Sequence, residues 1–312
     1  MSVLLFLATL PSLYWAQPVE TAPAVKQAGI ERLCVPAEAA AAWQAAGFTV
    51  VPLSEKDRAE RTRLQAPGLR SRADVASASV RPWIFANGWR FLRKPDGRYW
   101  GDVPAGKAAL AAAEAFAYGA DAVLAIDPAD LESFGKMRTF LSSVPDSSLP
   151  PFADVAVVDD ASPPVGEILN LMARRNLLWR AVPKEAPDVA LNVRIGSKEF
   201  PRKAAQNPES FALAVRRRLT DDKRSLRIFG SEVVLARLVR DAGHARLHLV
   251  NYGGRMIDGL RVRLLGSWVP GEALAYGQGR VAVEDLLSAE GATEFSLGLI
   301  GPYAIVDLTA VP

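Results

Sequence analysis

Three aspartates that follow apolar runs, and one stretch of aromatic and basic residues, are the parts of this sequence whose types and spacing could do chemistry. Ala122 to Ile126 and Asp154 to Val158 each read as a buried strand, and Asp127, Asp159 and Asp160 follow them directly. In a parallel sheet ligands gather beyond the carboxyl ends of the strands, so acids at those ends are in place for proton transfer. Asp127 has a second reading. In Ile126-Asp127-Pro128 it stands where a helix cap stands, with proline as the first helical residue. Asp159-Asp160 likewise fits a turn after a strand. Glu114 lies within an alanine-rich helix, where a solvated glutamate is the expectation.

From Arg81 to Asp102 the chain carries Trp83, Asn87, Trp89, Tyr99 and Trp100 among Arg90, Arg93 and Arg98. Indole faces stack on the apolar faces of sugar rings while charged and amide side chains serve the hydroxyls, so Trp83, Asn87, Trp89, Arg93, Tyr99 and Trp100 form a candidate carbohydrate-binding set. The competing reading puts these aromatics in one end of the core. Lys94-Pro95-Asp96-Gly97 is a turn signal, and it predicts a β-hairpin or a long inserted loop.

The elements that must position these residues alternate between strand and helix. Ile30 to Val35, a helix over Ala37 to Ala46 and a strand over Phe48 to Leu53 form one β-α-β unit. A helix over Pro104 to Tyr118 leads to the Ala122 strand, and a helix after Pro128 runs to about Ser143. Val165, Ile168, Leu169 and Met172 make one stripe of the helix after Ser162-Pro163. Leu177 to Val182 and Asp188 to Val193 read as strands, and Asn207-Pro208 starts another helix. The strand candidates before Thr220 are too few for a complete eight-stranded barrel of roughly 250 residues. An open parallel sheet or an incomplete β/α barrel fits better. From Leu226 the period becomes alternating, which predicts a small antiparallel β-sandwich.

The predicted organisation is therefore a candidate signal peptide at 1–16, an α/β domain at 17–225 with a break near the Pro/Ser cluster at 145–151, and a β-sandwich at 226–312. Val3 to Trp15 has signal-peptide length and is followed by Ala16-Gln17, although no Lys or Arg precedes it, and a buried first strand is the rival. Export would place the protein outside the cell or in a periplasm, with no membrane anchor after cleavage; a buried strand would leave it cytoplasmic. Cys34 is the sole cysteine and His244 and His248 the sole histidines. This composition excludes an internal disulfide and argues against a histidine-based triad or a metal site with several histidine ligands. Both histidines are expected at a surface or interface. The net charge of +3 with scattered arginines gives no reason to expect nucleic acid, and no cofactor or metal is called for. A homo-oligomer is compatible with everything above.

Asp154-Val-Ala-Val-Val-Asp-Asp160 with its following helix resembles the amidotransferase-like module of β-galactosidase-like glycoside hydrolases. The tail, from Val233 through His248-Leu-Val-Asn-Tyr252 to Gly301-Pro-Tyr-Ala-Ile-Val-Asp-Leu308, resembles their carboxyl-terminal β-sandwich. Both modules are non-catalytic in those enzymes, and the cysteine and histidine of amidotransferase chemistry have no counterpart here. The resemblance implies a secreted, glycoside-hydrolase-related protein that binds carbohydrate or supports assembly. An active hydrolase pairing Asp127 with Asp159 or Asp160 is the alternative, since glycosidic cleavage needs two carboxyl groups across the bond. A structural partner of a larger enzyme is the third reading.

Overall fold

The computed structural model describes residues 10–70 and 83–311. They divide into two compact units, one of the described residues up to Asn87 with Lys94–Ser148, and one of Gly88–Arg93 with the described residues from Leu149 onward. The chain is an α/β fold followed by antiparallel sheets, as the change of period predicts.

The first unit is built on a six-stranded sheet whose pairings are all parallel. From one edge to the other the strands are Thr49–Leu53, Arg32–Pro36, Ser12–Tyr14, Asp121–Ile126, Arg98–Val103 and Thr62–Arg63. The chain leaves the centre toward one edge, crosses to the other and works back. The order therefore reverses between Ser12–Tyr14 and Asp121–Ile126, the kind of switch point at which open sheets bind ligands.

Of the two readings of the amino-terminal run the structure has the buried strand, and a second expectation is corrected. Ser12–Tyr14 is a central strand, with Leu13, Tyr14 and Trp15 buried, so a cut near Ala16 would take the middle out of the sheet. Residues 3–9 of the apolar run lie outside the described residues. The predicted hairpin is not formed either: Trp83–Phe85 pairs with Gly68–Arg70, Gly88–Arg93 is a helix, and Arg98–Val103 is a full strand of the parallel sheet. Residues 81 and 82 lie outside the described residues. The helix expected over 37–46 is a 3₁₀ turn followed by Ala40–Ala45.

Alanine lets helices lie close, and Ala108–Ala117 is buried along nearly its whole length. Its amino terminus is held by a residue distant in sequence. Asp130 accepts hydrogen bonds from the backbone N–H groups of Gly106, Lys107 and Ala108 at 2.9, 3.2 and 3.3 Å. Glu114, expected in solvent, is 1% exposed and accepts from the backbone N–H and, at 2.9 Å, from the side-chain amide of Asn87. Burying that carboxylate is tolerable because charged acceptors with well-placed donors recover much of the desolvation cost.

The second unit opens with a three-stranded parallel sheet, Trp179–Val182, Val155–Val158 and Leu191–Val193, with Val155–Val158 in the middle. Helices Pro163–Ala173 and Pro208–Leu219 start as read, Ser162 and Asn207 accepting from the N–H groups of Val165 and Ser210. The sandwich has a four-stranded and a five-stranded antiparallel sheet, and Leu247, Val262, Phe295 and Val306 are among the residues filling the layer between them. His248 departs from the surface expectation. It is 6% exposed, its Nδ1 lies 2.7 Å from the Tyr303 hydroxyl, and burial holds its pKa well below the usual histidine range. His244 is exposed beside Asp241. Among the described residues no helix is long and apolar enough to cross a membrane.

Candidate functional site

The carboxyl ends of the six-stranded sheet gather a group of side chains that sequence reading did not single out together. Tyr14 ends the central strand, and Trp100 and Asp102 stand on the same face of Arg98–Val103. Arg63 ends the edge strand, and Arg58 comes from the helix Glu55–Ala59. The rings of Tyr14 and Trp100 meet edge to face with centroids 4.8 Å apart. The Arg58 guanidinium lies 5.4 Å from the Tyr14 ring and 5.9 Å from Trp100, and Arg63 covers Trp100 at 5.3 Å. The indole Nε1 donates to Asp102 Oδ1 at 2.7 Å, and Arg63 Nη1 donates to Oδ2 of the same carboxylate at 2.8 Å.

Exposure sorts this group into a base and a rim. Tyr14, Cys34 and Trp100 are buried. The Arg63 and Asp102 side chains are 55% and 71% exposed; Glu38 and Glu55, which follow the strands Arg32–Pro36 and Thr49–Leu53 toward the other edge, are exposed as well. Burial pushes the Tyr14 phenol up, Arg58 opposes the rise, and Glu38, Cys34 and Glu55 add to it. Burial likewise raises the Cys34 thiol against the opposing charges of Arg61 and Arg32, so it is an inert core group rather than a nucleophile. The Nε of Arg58 has no hydrogen-bond partner among the described residues. Chemically the rim offers adjacent donors and acceptors on fixed strand ends, which suits neutral polyhydroxyl ligands. Among the described residues no three His, Cys, Asp or Glu side chains converge on a metal-sized site.

The residues predicted from sequence fall in several places. Asp127 lies just beyond the switch point and accepts from Ala129 N–H at 2.9 Å, as a cap does. Asp159 belongs to the second unit, where Arg93 grips it with two hydrogen bonds of 2.7 Å and Ala161 N–H adds a third of 2.9 Å. Asp160 beside it is exposed, and its hydrogen bonds with Ser162 hold its carboxyl below the usual range. Arg93 also donates to the Ser162 carbonyl. Trp89, half-buried, stacks with Arg90 at 4.3 Å and borders Gly166, where an added Cβ would stand 3.2 Å from the indole and 2.6 Å from Arg93 Nη1. The structure therefore joins Arg93 and Trp89 to the Asp159 turn.

For Tyr99 and Trp100 the core reading is the one the structure has, at 1% and 2% exposure. The Tyr99 hydroxyl donates to the Lys94 carbonyl at 2.6 Å, closing the turn, and leaves no room for a Cβ at Gly97. Asn87 is buried and bridges Gln65 to Glu114, while Trp83 is half-buried in the small ribbon. Tyr14, Arg58, Arg63 and Asp102 were missed because Tyr14 sits in a signal-like run and the arginines in a stretch without apolar repeats. One signal pointed there: Ser54-x-x-Asp57 is a capping box, realised in the structure, that starts a helix directly after a strand.

The fold is similar to that of α-L-fucosidase isoenzyme 2 from Paenibacillus thiaminolyticus, with a TM-score of 0.53 at 9% identity over 86% of this chain and 69% of that one. A catalytic mutant of Gan42B, a GH42 β-galactosidase from G. stearothermophilus, aligns at 8% identity with a TM-score of 0.38, over 80% of this chain and 54% of that one. The first likeness is one of fold alone; the second, at its score, carries no argument. No family model and no curated protein matches the sequence.

Proposed function

We propose that this is a glycoside-hydrolase-related protein that binds carbohydrate at the carboxyl ends of the six-stranded sheet and does not cleave it. One observation carries the reading: an exposed Arg63–Asp102 pair, anchored by the Trp100 indole, beside a sheet switch point. A sugar hydroxyl both donates and accepts, so a paired guanidinium and carboxylate on rigid strands matches a vicinal diol. The parallel unit around Val155–Val158 and the sandwich would then be counterparts of non-catalytic modules.

Hydrolysis would require a carboxyl group kept protonated near neutral pH. Asp160 is shifted the other way, and Asp127 and Asp159 are each occupied with hydrogen bonds inside their own unit. The test is a neutral glycan panel against the wild-type chain and the Arg63→Gln and Asp102→Asn variants. Binding that both variants abolish supports the reading; a panel without any bound glycan ends it. Release of reducing sugar that disappears in Asp127→Asn would put the hydrolase reading in its place.

A further inference from the structure

The outward face of the four-stranded sandwich sheet carries an arrangement that local rules disfavour. Leu226, Val262, Leu264, Phe295 and Leu297 point into the core, which leaves Arg227, Phe229, Arg261, Arg263, Glu294 and Ser296 on the other side. Register places Arg227 opposite Arg263 and Arg263 opposite Glu294, with Phe229 opposite Arg261 and Arg261 opposite Ser296 in the next rank. Like charges directly opposite on neighbouring strands are destabilising. Here two such arginines face each other with a third two residues along.

The acids present do not balance them. Arg261 takes most of Glu294, at 3.1 Å from Nε and 3.0 Å from Nη2, and also reaches the Ser296 hydroxyl at 3.4 Å. Arg263 has Glu294 only at 3.6 Å, its side chain is 9% exposed, and its Nη1 has no hydrogen-bond partner among the described residues. Arg227 stacks on Phe229 at 4.8 Å and shares Asp221 with Arg216 and Arg224. Five arginines thus meet Asp221 and Glu294, with the exposed Glu284 opposite Ser296 as the third carboxylate of the face. An under-compensated buried cation is costly, and such violations of local consistency concentrate where a ligand completes the balance.

We infer that this face binds an acidic polysaccharide through the carboxylates of its uronate residues. Each part of a uronate ring has a partner there: the forks of Arg227 and Arg261, 27% and 32% exposed, for the carboxylate, the 36% exposed Phe229 ring for the apolar face, and Ser296 and Glu294 for hydroxyls. Glu294 in the middle of the grid disfavours a phosphodiester chain, whose charges would be forced against it. This surface belongs to the second unit and is independent of the strand-end site proposed above.

The experiment is calorimetric titration of the full chain with trigalacturonate, with galactotriose as neutral control and a short oligothymidylate as competing polyanion. Trigalacturonate binds, weakens as salt is raised, and loses about tenfold in affinity in Arg227→Gln and again in Arg261→Gln, as expected for a charge-assisted pair. Both positions are partly exposed, and unchanged melting temperatures confirm that each variant is folded. Absence of trigalacturonate binding, binding indifferent to both substitutions, or equally tight oligothymidylate binding through the same arginines would each overturn the inference.

Discussion

Both parallel sheets of this protein end in aspartates beside arginines, yet the two ends are in opposite physical states. In the three-stranded sheet Arg93 and Asp159 hold each other with both side chains 15% exposed, and Asp159 accepts a further backbone bond. The six-stranded sheet instead presents Arg63 and Asp102 at 55% and 71% exposure over a buried aromatic base. A pair shielded from water serves the fold, because removing one partner strands a charge. A pair in water contributes little to stability and remains free to exchange its hydrogen bonds for those of a ligand. Acids at strand ends therefore say nothing about use until their neighbours are known.

The comparison can be broken most severely at its centre. A chain that begins at Gln17 lacks Ser12–Tyr14, whose neighbours Arg32–Pro36 and Asp121–Ile126 would lose their pairing. It should lose the cooperative thermal transition in far-ultraviolet circular dichroism; a folded product with native ellipticity would show that the strand is dispensable. Next in size, Arg93→Ala should lower stability by about 3 kcal/mol in urea unfolding, since Asp159 is left half-satisfied in a shielded position. A double replacement by methionine and leucine at the two positions should recover most of that loss. A double-variant loss equal to the sum of the two single losses would mean that the pair is not coupled.

A third test uses the amino end of the same sheet. Asp154 is 5% exposed and accepts from Ser225 N–H and hydroxyl at 3.0 and 2.6 Å, and burial raises its pKa despite those bonds. With its folded pKa above the unfolded value of about 3.9, its contribution is complete below that pH and is lost as pH rises through the folded value. Asp154→Asn should therefore be more favourable, relative to wild type, at pH 7.5 than at pH 4, read as urea midpoints. A pH-independent difference would contradict the shift. The smallest effect belongs to the exposed pair: Arg63→Gln and Asp102→Asn should each change stability by less than about 0.5 kcal/mol. A larger loss in either would move that pair into the structural class of Arg93 and Asp159.

What the sequence determined by itself is local. The cap and proline signals at Asp127, Ser162 and Asn207 start helices as read, because capping depends on residues three or four apart. The apolar runs at 122–126 and 155–158 become buried parallel strands, and the alternation after 226 becomes a sandwich, since period selects which face is buried. Tertiary structure alone decided how side chains distant in sequence meet. Arg93 reaches Asp159 across 66 positions and Asn87 reaches Glu114 across 27, and no local pattern marks either pair. The same holds for Ser12–Tyr14, apolar enough for a leader yet completed by strands from both sides, and for Trp100, whose faces are covered by arginines from a stretch without periodicity. Burial of a polar or aromatic group depends on which partners the whole chain brings to it, and that is settled only when the sheet closes around them.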